Sequence, residues 1–387
     1  MPRHIYEQDH EDFRASVKEF VDRVLLPRSE EMRANHEIPR EVWREAGKQG
    51  LLGLCIPEEY GGAGINDYRF NAVLTEEVAR AAAGDQLLLR HRRRHLPALP
   101  RGDGHRGAEA ALAAGGDRLG RGDHRHRNDR AVRRLGPGRA EDHRGPRRRR
   151  LGDQRVQDLH HQRLRLRPGD RGRAYRSGGQ AGPGGISLFV LEAGGMPGFT
   201  KGGAKLDKVG QDESGTCELF FSDVRVGPEH LLGPLNGGFI AMMKHLAQER
   251  IGCAVANIHN AGWILQETIE YSKERKAFGQ AIGSMQHNKF KIAELQTKFD
   301  VTQAYIDECV LAHSQGGKLS ATDAAKAKWW SSDIQGQILD DCVQLHGGYG
   351  YMNEYAVARA WRDARVTRIW AGSNEIMKEL IGRELGL

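Results

Sequence analysis

Hydrophobic residues recur at helical spacing over the first 84 positions of the chain. The first predicted helix closes at Pro27, and its apolar face consists of Phe13, Val17, Phe20, Val21 and Val24. The same spacing predicts a second helix over 39–50 and a third over 68–83. This part of the chain is therefore predicted to be helical.

The pattern changes to strands between residues 181 and 233. The continuous apolar run 186–191 is typical of a buried strand, while 217–221 and 224–226 are short strands separated by a Ser-Asp turn. Glycine and proline between these runs fit the connections of a β domain. We expect short strands here, mostly of the antiparallel type.

Helical spacing returns at residue 236 and continues to the end of the chain. It predicts five helices, over 239–273, 286–315, 321–344, 354–369 and 374–385. In the second of these helices the predicted apolar face consists of Phe290, Ile292, Leu295, Phe299 and Val301. No Gly-x-Gly-x-x-Gly motif opens a βαβ unit, so a Rossmann cofactor site has no support.

Composition sets residues 85–177 apart from the rest of the chain. This segment holds 26 Arg, no Lys and 11 acidic residues, a net charge of +15, whereas the remainder carries −8. The overall charge of +7 therefore does not describe the protein outside the segment. One interpretation is a disordered, Arg-rich insert that binds nucleic acid, but the absence of Lys and the single aromatic residue disfavour it.

The residue types of the segment suggest a different origin. From 85 to 176 only Asn128 and Tyr175 lie outside ten types whose codons can begin with C or G. Back-translation of 128–137, started one base later, gives Met-Thr-Glu-Pro-Ser-Gly-Gly-Ser-Asp-Leu. The same shift turns 153–163 into a sequence containing Phe-Lys-Thr-Phe-Ile-Thr-Asn-Gly. We interpret 85–177 as a GC-rich gene translated one base out of frame, through a sequencing error or a real lesion.

Length and cysteine content add further limits. A chain of 387 residues can form two or three domains with substantial cores. Its five cysteines have no paired spacing, which disfavours a disulfide framework and a zinc site, and the His160-His161 pair has no cysteine near it. No metal is therefore expected. The charged start and the lack of an apolar run of about 18 residues predict a cytoplasmic protein without a membrane span.

Four motifs outside the anomalous segment resemble the acyl-CoA dehydrogenase family. Arg275-Lys-Ala-Phe-Gly-Gln280, followed by Gln286, is similar to the family segment that reaches the flavin of a neighbouring subunit. Gln344-Leu-His-Gly-Gly-Tyr-Gly-Tyr351 is similar to the loop that approaches the adenine part of the flavin across the dimer. The turn at 57–62 and the end of the chain, 365–385, match the family as well, and the two shifted sequences resemble its flavin-lining strands.

The resemblance implies an α+β fold with three domains. These are an N-terminal helical domain over 1–115, a middle β-barrel or sandwich domain over 116–233, and a C-terminal four-helix-bundle domain over 234–387. It also implies FAD as cofactor, an acyl-CoA substrate, an electron-transfer flavoprotein as acceptor, and a homotetramer or homodimer that acts in fatty acid β-oxidation. A nucleic-acid partner is not expected.

Site residues follow from the resemblance, motif by motif. Those expected to bind the flavin are Arg275, Phe278, Gln286, Gln344, Gly347, Gly348, Ser373 and Glu375. Those expected to contact substrate are Leu246, Arg250 and Gly372. The family removes the α proton and the β hydride of an acyl-CoA thioester, which requires a carboxylate as general base.

The identity of that base depends on the branch of the family. The short- and medium-chain branch carries it as the Glu of a Tyr-Glu-Gly-Thr motif, but here the aligned residues 370–373 place Ala371 at that position. The long-chain and isovaleryl-type branches carry it on an earlier helix, just before an Arg, and Glu249 followed by Arg250 matches that pattern. We predict that Glu249 is the base and that the chain is closest to the long-chain branch. The alternatives are an acyl-CoA oxidase-like flavoenzyme and an inactive product of a frameshifted gene.

Overall fold

The computed structural model describes residues 3–81, 165–166, 186–191, 196–203, 205–317 and 319–387. The chain forms two compact units, one containing 1–95, 208–214 and 246–387 and the other 96–207 and 215–245. Apart from a two-residue strand, the interpretation of 85–177 lies outside the described residues, as does the pair His160-His161. The third predicted helix, over 68–83, ends earlier than predicted, at Val78, and a turn follows it. The three domain boundaries stay a prediction.

The three predicted N-terminal helices form, and a fourth helix was not predicted. The predicted ones are α1 (Gln8–Phe20), which continues through a π turn over Val21–Leu25 and a 3-10 turn over Leu26–Arg28, α3 (Arg40–Lys48) and α4 (Tyr68–Val78). The unpredicted helix is α2 (Ser29–Asn35); Pro27 lies within the 3-10 turn that leads into it, so the expectation that Pro27 closes the helical stretch is wrong. The turn at 57–62 is a short 3-10 helix over Glu58–Tyr60. The apolar faces of α1 and α3 are buried against each other and against α4, since Phe20, Val42 and Leu74 lie in one core. The helical periodicity was therefore sufficient to predict which faces are buried here.

The predicted C-terminal helices also form, with small shifts at their ends. They are α5 (Gly238–Glu274), α6 (Gln286–Ser314), α7 (Ala321–His346), α8 (Ala356–Ala364) and α9 (Asn374–Glu384). The helix predicted over 354–369 is shorter, because a 3-10 turn over Arg365–Arg368 follows α8. A second core joins α5, α6 and α7 to α4 and to Ile5 near the start of the chain.

The apolar face predicted for α6 is partly wrong. Leu295 is fully buried, but Phe290 is 61% and Val301 63% exposed. At about 100° per residue, positions 290 and 301 lie roughly 140° and 120° around the helix from Leu295, both in the same direction, so the two residues share one side of the helix, away from Leu295. Only Ile292, Leu295 and Phe299 lie within about 60° of one another, so the five residues do not form one stripe.

The second unit contains short strand pairs. They are β1 (Arg165–Leu166) parallel with β5 (Arg225–Val226), β2 (Leu188–Phe189) antiparallel with β6 (Leu231–Leu232), and β3 (Phe199–Lys201) antiparallel with β4 (Leu219–Phe221). The run 186–191 was predicted to be a buried strand, but only two of its residues pair as β2, and both are half-buried. The expectation of antiparallel pairing holds for β2–β6 and β3–β4 and is wrong for β1–β5.

One buried carboxylate ties the start of the chain to the helices. The side chain of Glu76 on α4 is 1% exposed and accepts hydrogen bonds from Arg3 (2.7 Å), Arg14 (2.6 Å) and Tyr6 (2.5 Å). His259 on α5 lies 3.2 Å from the same carboxylate. Burial by itself raises the pKa of Glu76, but the charges and hydrogen bonds of His259 and Arg3 outweigh it and hold that pKa well below its ordinary value.

No helix in the described part of the chain is long and apolar enough to cross a membrane.

Candidate active site

A lysine without any solvent exposure lies at the centre of the C-terminal helices. Lys328 is 0% exposed on α7, and its ammonium donates hydrogen bonds to the carbonyl oxygen of Gly372 (2.7 Å) and to Oδ1 of Asn374 (2.9 Å). Because a buried charge without partners is costly, these two bonds determine where the ammonium can lie. They join α7 to the segment that leads into α9.

That segment has an unusual backbone. Ala371 and Gly372 both have positive φ angles, 53° and 92°. A left-handed conformation costs a non-glycine residue about 1–2 kcal/mol, so contacts with the surroundings must hold Ala371 there. Glycine adopts a φ of 92° without this cost, so Gly372 suits the turn. The strained residue of the turn is therefore Ala371.

The start of α9 is fixed by a second set of hydrogen bonds. Asn374, which is buried, donates from Nδ2 to Oγ of Ser332 (2.9 Å) and to Oδ1 of Asp333 (3.1 Å), both on α7. Ser373 is the N-cap residue of α9. Hydrogen bonds from its own backbone and from the Ser373 hydroxyl lower the pKa of Glu375, so this exposed carboxyl is held in its charged form at the helix N-terminus.

The predicted base lies on α5, next to a buried cation. Glu249 is half-buried, and Arg250 is 6% exposed. Among the described residues Nε of Arg250 has no hydrogen-bond partner, and its Nη1 lies 3.5 Å from the carbonyl oxygen of Ala321. Burial lowers the pKa of Arg250, and the negative charge of Glu249 opposes this effect. The half-buried Leu246 precedes Glu249 by three residues, about one helical turn.

Electrostatic effects at Lys328 link the two regions. Burial lowers the pKa of Lys328 to about 8, the charges of Cys253 and Glu375 oppose this shift, and Arg250 adds to it. Lys328 is therefore bonded to the Gly372–Asn374 segment, and Arg250 and Glu375 are near enough to affect its pKa. These residues include the predicted substrate residues Arg250 and Gly372 and the predicted flavin residues Ser373 and Glu375, while Glu249 and Leu246 lie one and four positions before Arg250 on α5.

The remaining predicted flavin residues lie at the other end of α5. There, β7 (Lys276–Ala277) pairs with β8 (Gln280–Ala281) through a two-residue turn in which Phe278 and Gly279 have φ angles of 51° and 80°. Positive φ at both central positions is the mark of a type I′ hairpin turn. Phe278 is 97% exposed at the tip. A large aromatic residue in a left-handed conformation without packing is a strained, exposed feature, which points to a functional role.

The glycine-rich loop lies beside this hairpin. It continues α7 through a 3-10 turn over Gly347–Tyr351, and Gly347 caps the helix with a φ of 60°. The guanidinium of Arg275 lies 5.6 Å from the ring centre of Tyr349. Tyr271 of α5 stacks on His346 with ring centres 4.3 Å apart. These aromatic contacts hold the hairpin and the loop together.

The hairpin and loop present groups that suit a flavin dinucleotide. An exposed aromatic ring and a guanidinium can stack on ring systems and pair with phosphates. A Cβ on Gly347 or Gly348 would meet nothing within 4 Å, so the backbone there is open to an approaching ligand. Gln286, the first residue of α6, and Gln344, two residues before the end of α7, are both exposed. The predicted residues on this face therefore fit FAD.

The two groups of predicted residues are far apart within one chain. Glu249 and Glu274, the last residue of α5, are 25 positions apart on one continuous helix, which corresponds to about 37 Å. Arg275 and Phe278 follow directly after that end. A single flavin ring cannot contact both Glu249 and Phe278 of the same chain.

The structure also identifies two residues that the sequence analysis missed, Lys328 and Asn374. A signal for Lys328 was present, because it occupies the buried register of α7, four residues from Ala324 and three from Ser331. Lys326, two positions earlier, lies outside that register and pairs with Asp323 at the surface. A lysine at a core position of a helix needs partners, and sequence alone does not show which ones.

Comparisons with known proteins agree with this arrangement. Residues 7–93 match the family described as acyl-CoA dehydrogenase, N-terminal domain, and residues 236–386 match acyl-CoA dehydrogenase, C-terminal domain. The chain is 37% identical to the mitochondrial long-chain specific acyl-CoA dehydrogenase of Sus scrofa, over 99% of this chain and 88% of that protein.

Solved structures give the same result. The acyl-CoA dehydrogenase of Geobacillus kaustophilus superimposes with a TM-score of 0.80 at 27% identity, over 100% of both chains. A structure titled as the electron transferring flavoprotein of Acidaminococcus fermentans superimposes with a TM-score of 0.77 at 26% identity, over 98% of both chains.

The chain belongs to the acyl-CoA dehydrogenase family. It is thus an FAD flavoprotein of the oxidoreductases that act on CH–CH groups, in a family that dehydrogenates acyl-CoA. The fold class, the family and the cofactor predicted from the sequence are confirmed.

Proposed function

We propose that the protein catalyses the α,β-dehydrogenation of a long-chain-type acyl-CoA to the trans-2-enoyl-CoA, with Glu249 as the base. The observation that carries the proposal is a pair of positions: Glu249 directly precedes the buried Arg250 on α5, whereas Ala371 has no group that accepts a proton. The similarity to a long-chain specific relative supports the same branch.

Glu249 takes the α proton onto a carboxylate oxygen. The buried guanidinium of Arg250, the next residue on α5, places a positive charge in this part of the site. The unpartnered Nε of Arg250 is a donor that can meet negative charge developing on the substrate. FAD, when bound, accepts the hydride from the β carbon. The half-buried Leu246 adds apolar surface on the same helix.

The separation along α5 favours a homo-oligomer. Since Glu249 and the Phe278 hairpin are about 37 Å apart in one chain, both can act on one flavin only if the hairpin comes from a second copy. We propose a homodimer or homotetramer in which the hairpin and the Gly347–Gly348 loop of one subunit complete the flavin site of another. An electron-transfer flavoprotein is the proposed acceptor, and the cytoplasm the proposed compartment.

The test of the base is Glu249→Gln in the flavin-loaded protein. The amide keeps the shape of the side chain but cannot take a proton, so we expect bound FAD and a loss of turnover of about 10²–10⁴-fold. The matched control is Glu270→Gln, an exposed residue on the same helix that pairs with Lys273. Turnover is measured with acyl-CoA and a dye or flavoprotein acceptor. Retained turnover in Glu249→Gln contradicts the assignment.

The two alternative functions have different signatures. An oxidase-like enzyme consumes oxygen with acyl-CoA when no other acceptor is present. An inactive product of a frameshifted gene binds no FAD and shows no activity with any acyl-CoA. The proposal applies to the protein whose 85–177 segment is in frame with its flanks, and it fails if that protein neither binds FAD nor oxidises acyl-CoA.

A further inference from the structure

We propose that Lys328 is a positioning residue for the dehydrogenation, because its ammonium holds the left-handed turn at Ala371–Gly372 against α7, which contacts the helix that carries Glu249. The inference rests on the proposed function and deepens it. Lys328 itself does not touch the reacting carbons; it acts through the carbonyl of Gly372 and the side chain of Asn374.

The first step of the argument is the geometry of the ammonium. Its two acceptors, the oxygen of Gly372 (2.7 Å) and Oδ1 of Asn374 (2.9 Å), flank Ser373, the residue that caps α9. One buried donor therefore fixes the backbone on one side of the cap and the side chain on the other. The start of α9 cannot shift without breaking at least one of these bonds.

The second step is the strain in the turn. Ala371 is buried, 6% exposed, and adopts a φ of 53°, which alanine avoids. Contacts must compensate for that conformation, and the hydrogen bond from Lys328 to Gly372 acts on the next peptide unit. Without that bond Ala371 is free to return to a negative φ and to move the turn.

The third step concerns the other wall of the site. Near Lys328, α5 and α7 are joined by a hydrogen bond, since Nδ2 of Asn257 donates to Oγ of Ser331 at 3.2 Å, three residues along α7 from Lys328. Lys328 therefore lies on a helix that contacts α5, which carries Glu249, and it donates to the turn that Gly372 belongs to. A proton transfer depends on placing donor and acceptor within a few tenths of an ångström, so loosening one wall lowers the rate even where substrate still binds.

The experiment compares Lys328→Met with Lys326→Met in the full-length, FAD-loaded enzyme. Lys326 is the matched control, since it lies on the same helix but pairs with Asp323 at the surface. For Lys328→Met we expect bound FAD, a KM within twofold of wild type and a kcat at least tenfold lower. For Lys326→Met we expect both constants within twofold of wild type.

A second substitution separates positioning from general stability. Glycine adopts positive φ without strain, so Ala371→Gly in the Lys328→Met background should restore the turn and raise kcat at least threefold. A purely structural role for Lys328 predicts no such recovery. Hydrogen exchange at the amides of 371–375 should become faster in Lys328→Met and slower again in the double variant.

Three results overturn the inference: a kcat of Lys328→Met within twofold of wild type, a loss of kcat that only follows a loss of FAD, or no recovery with Ala371→Gly. If Lys328→Met gives no soluble protein, Lys328→Gln is judged by the same criteria. Glu249→Gln is measured in parallel. One outcome separates the two proposals. If Glu249→Gln is fully active, while hydrogen exchange at 371–375 and the recovery of kcat with Ala371→Gly are as predicted, the assignment of Glu249 as base is refuted and the positioning role of Lys328 is supported.

Discussion

Replacing Glu76 with glutamine tests how strongly the start of the chain is held to the helices. In the native protein its carboxylate, 1% exposed, accepts from Arg3, Arg14 and Tyr6 and lies beside His259. The glutamine side chain carries no negative charge, so Arg3 and Arg14 stay partly buried without that counter-charge. The change therefore converts a satisfied cluster into one with excess positive charge.

The expected size of the effect follows from the partners that remain. Removing one member of a buried ion pair costs about 3–5 kcal/mol. Arg3 retains Asp307 at 2.6 Å, and Arg14 retains Glu77 at 3.1 Å, which reduces the penalty. We therefore expect a loss of about 3 kcal/mol, at the lower end of that range. With a urea m-value of about 3 kcal/mol/M, the midpoint of unfolding should fall by about 1 M.

Urea unfolding followed by circular dichroism and tryptophan fluorescence measures this change. The matched control is Glu19→Gln on α1, whose side chain is 57% exposed and pairs with Arg23, and it should stay within about 0.5 kcal/mol of wild type. The pH dependence gives an independent check. Because the folded-state pKa of Glu76 is lowered, its stabilisation is present above the unfolded value of about 4.3 and is lost as the pH falls below it.

At acidic pH the free energy of unfolding should therefore fall more steeply with decreasing pH in wild type than in Glu76→Gln. A midpoint for Glu76→Gln within 0.2 M of wild type, with an unchanged acid limb, would refute the reasoning. That result would mean that the negative charge of Glu76 adds little to the free energy of unfolding and that packing alone stabilises the cluster.

Three further predictions address the site. Phe278→Ala should leave the unfolding midpoint unchanged, since the ring is 97% exposed, but should reduce FAD retention and the oligomer measured by light scattering; unchanged FAD content would contradict a role for the hairpin. Ala371→Glu in the Glu249→Gln background should restore part of the turnover with an altered chain-length preference, and no recovery would count against two interchangeable base positions. Tryptic mass mapping of the native protein over 85–180 should yield a peptide containing Thr-Phe-Ile-Thr-Asn-Gly if the segment is a sequence error, whereas short Arg-terminated fragments of the printed sequence would mean that the shift is real.

Much of the helical fold could be predicted from local pattern. The C-terminal helices form within a few residues of the predicted ends, because an apolar stripe of period 3.6 has to face a core and because Gly347 ends α7. Where the pattern failed, the cause was geometric. Phe290 and Val301 share a helix with Leu295 but not a side of it, and only packing decides which side is covered.

The site was predictable only in part. Motifs predicted Arg275, Phe278 and the Gly347–Gly348 loop as flavin residues, and the helix predicted over 239–273 already separates Arg275 from Glu249 by about 37 Å. No local pattern indicated that Lys328 would reach Gly372 and Asn374 across 44 and 46 positions of sequence.

The sequence by itself thus determined the family, the order of helices and strands, the cofactor and the two candidate positions for a base. These properties depend on periodicity and on residue type, which are local. Tertiary structure decided which charges are buried and what satisfies them: Glu76 among its cations, and Lys328 under the turn at Ala371. Burial and hydrogen bonding between distant segments are properties of packing, since a charged side chain has the same local pattern whether it lies in water or in a core.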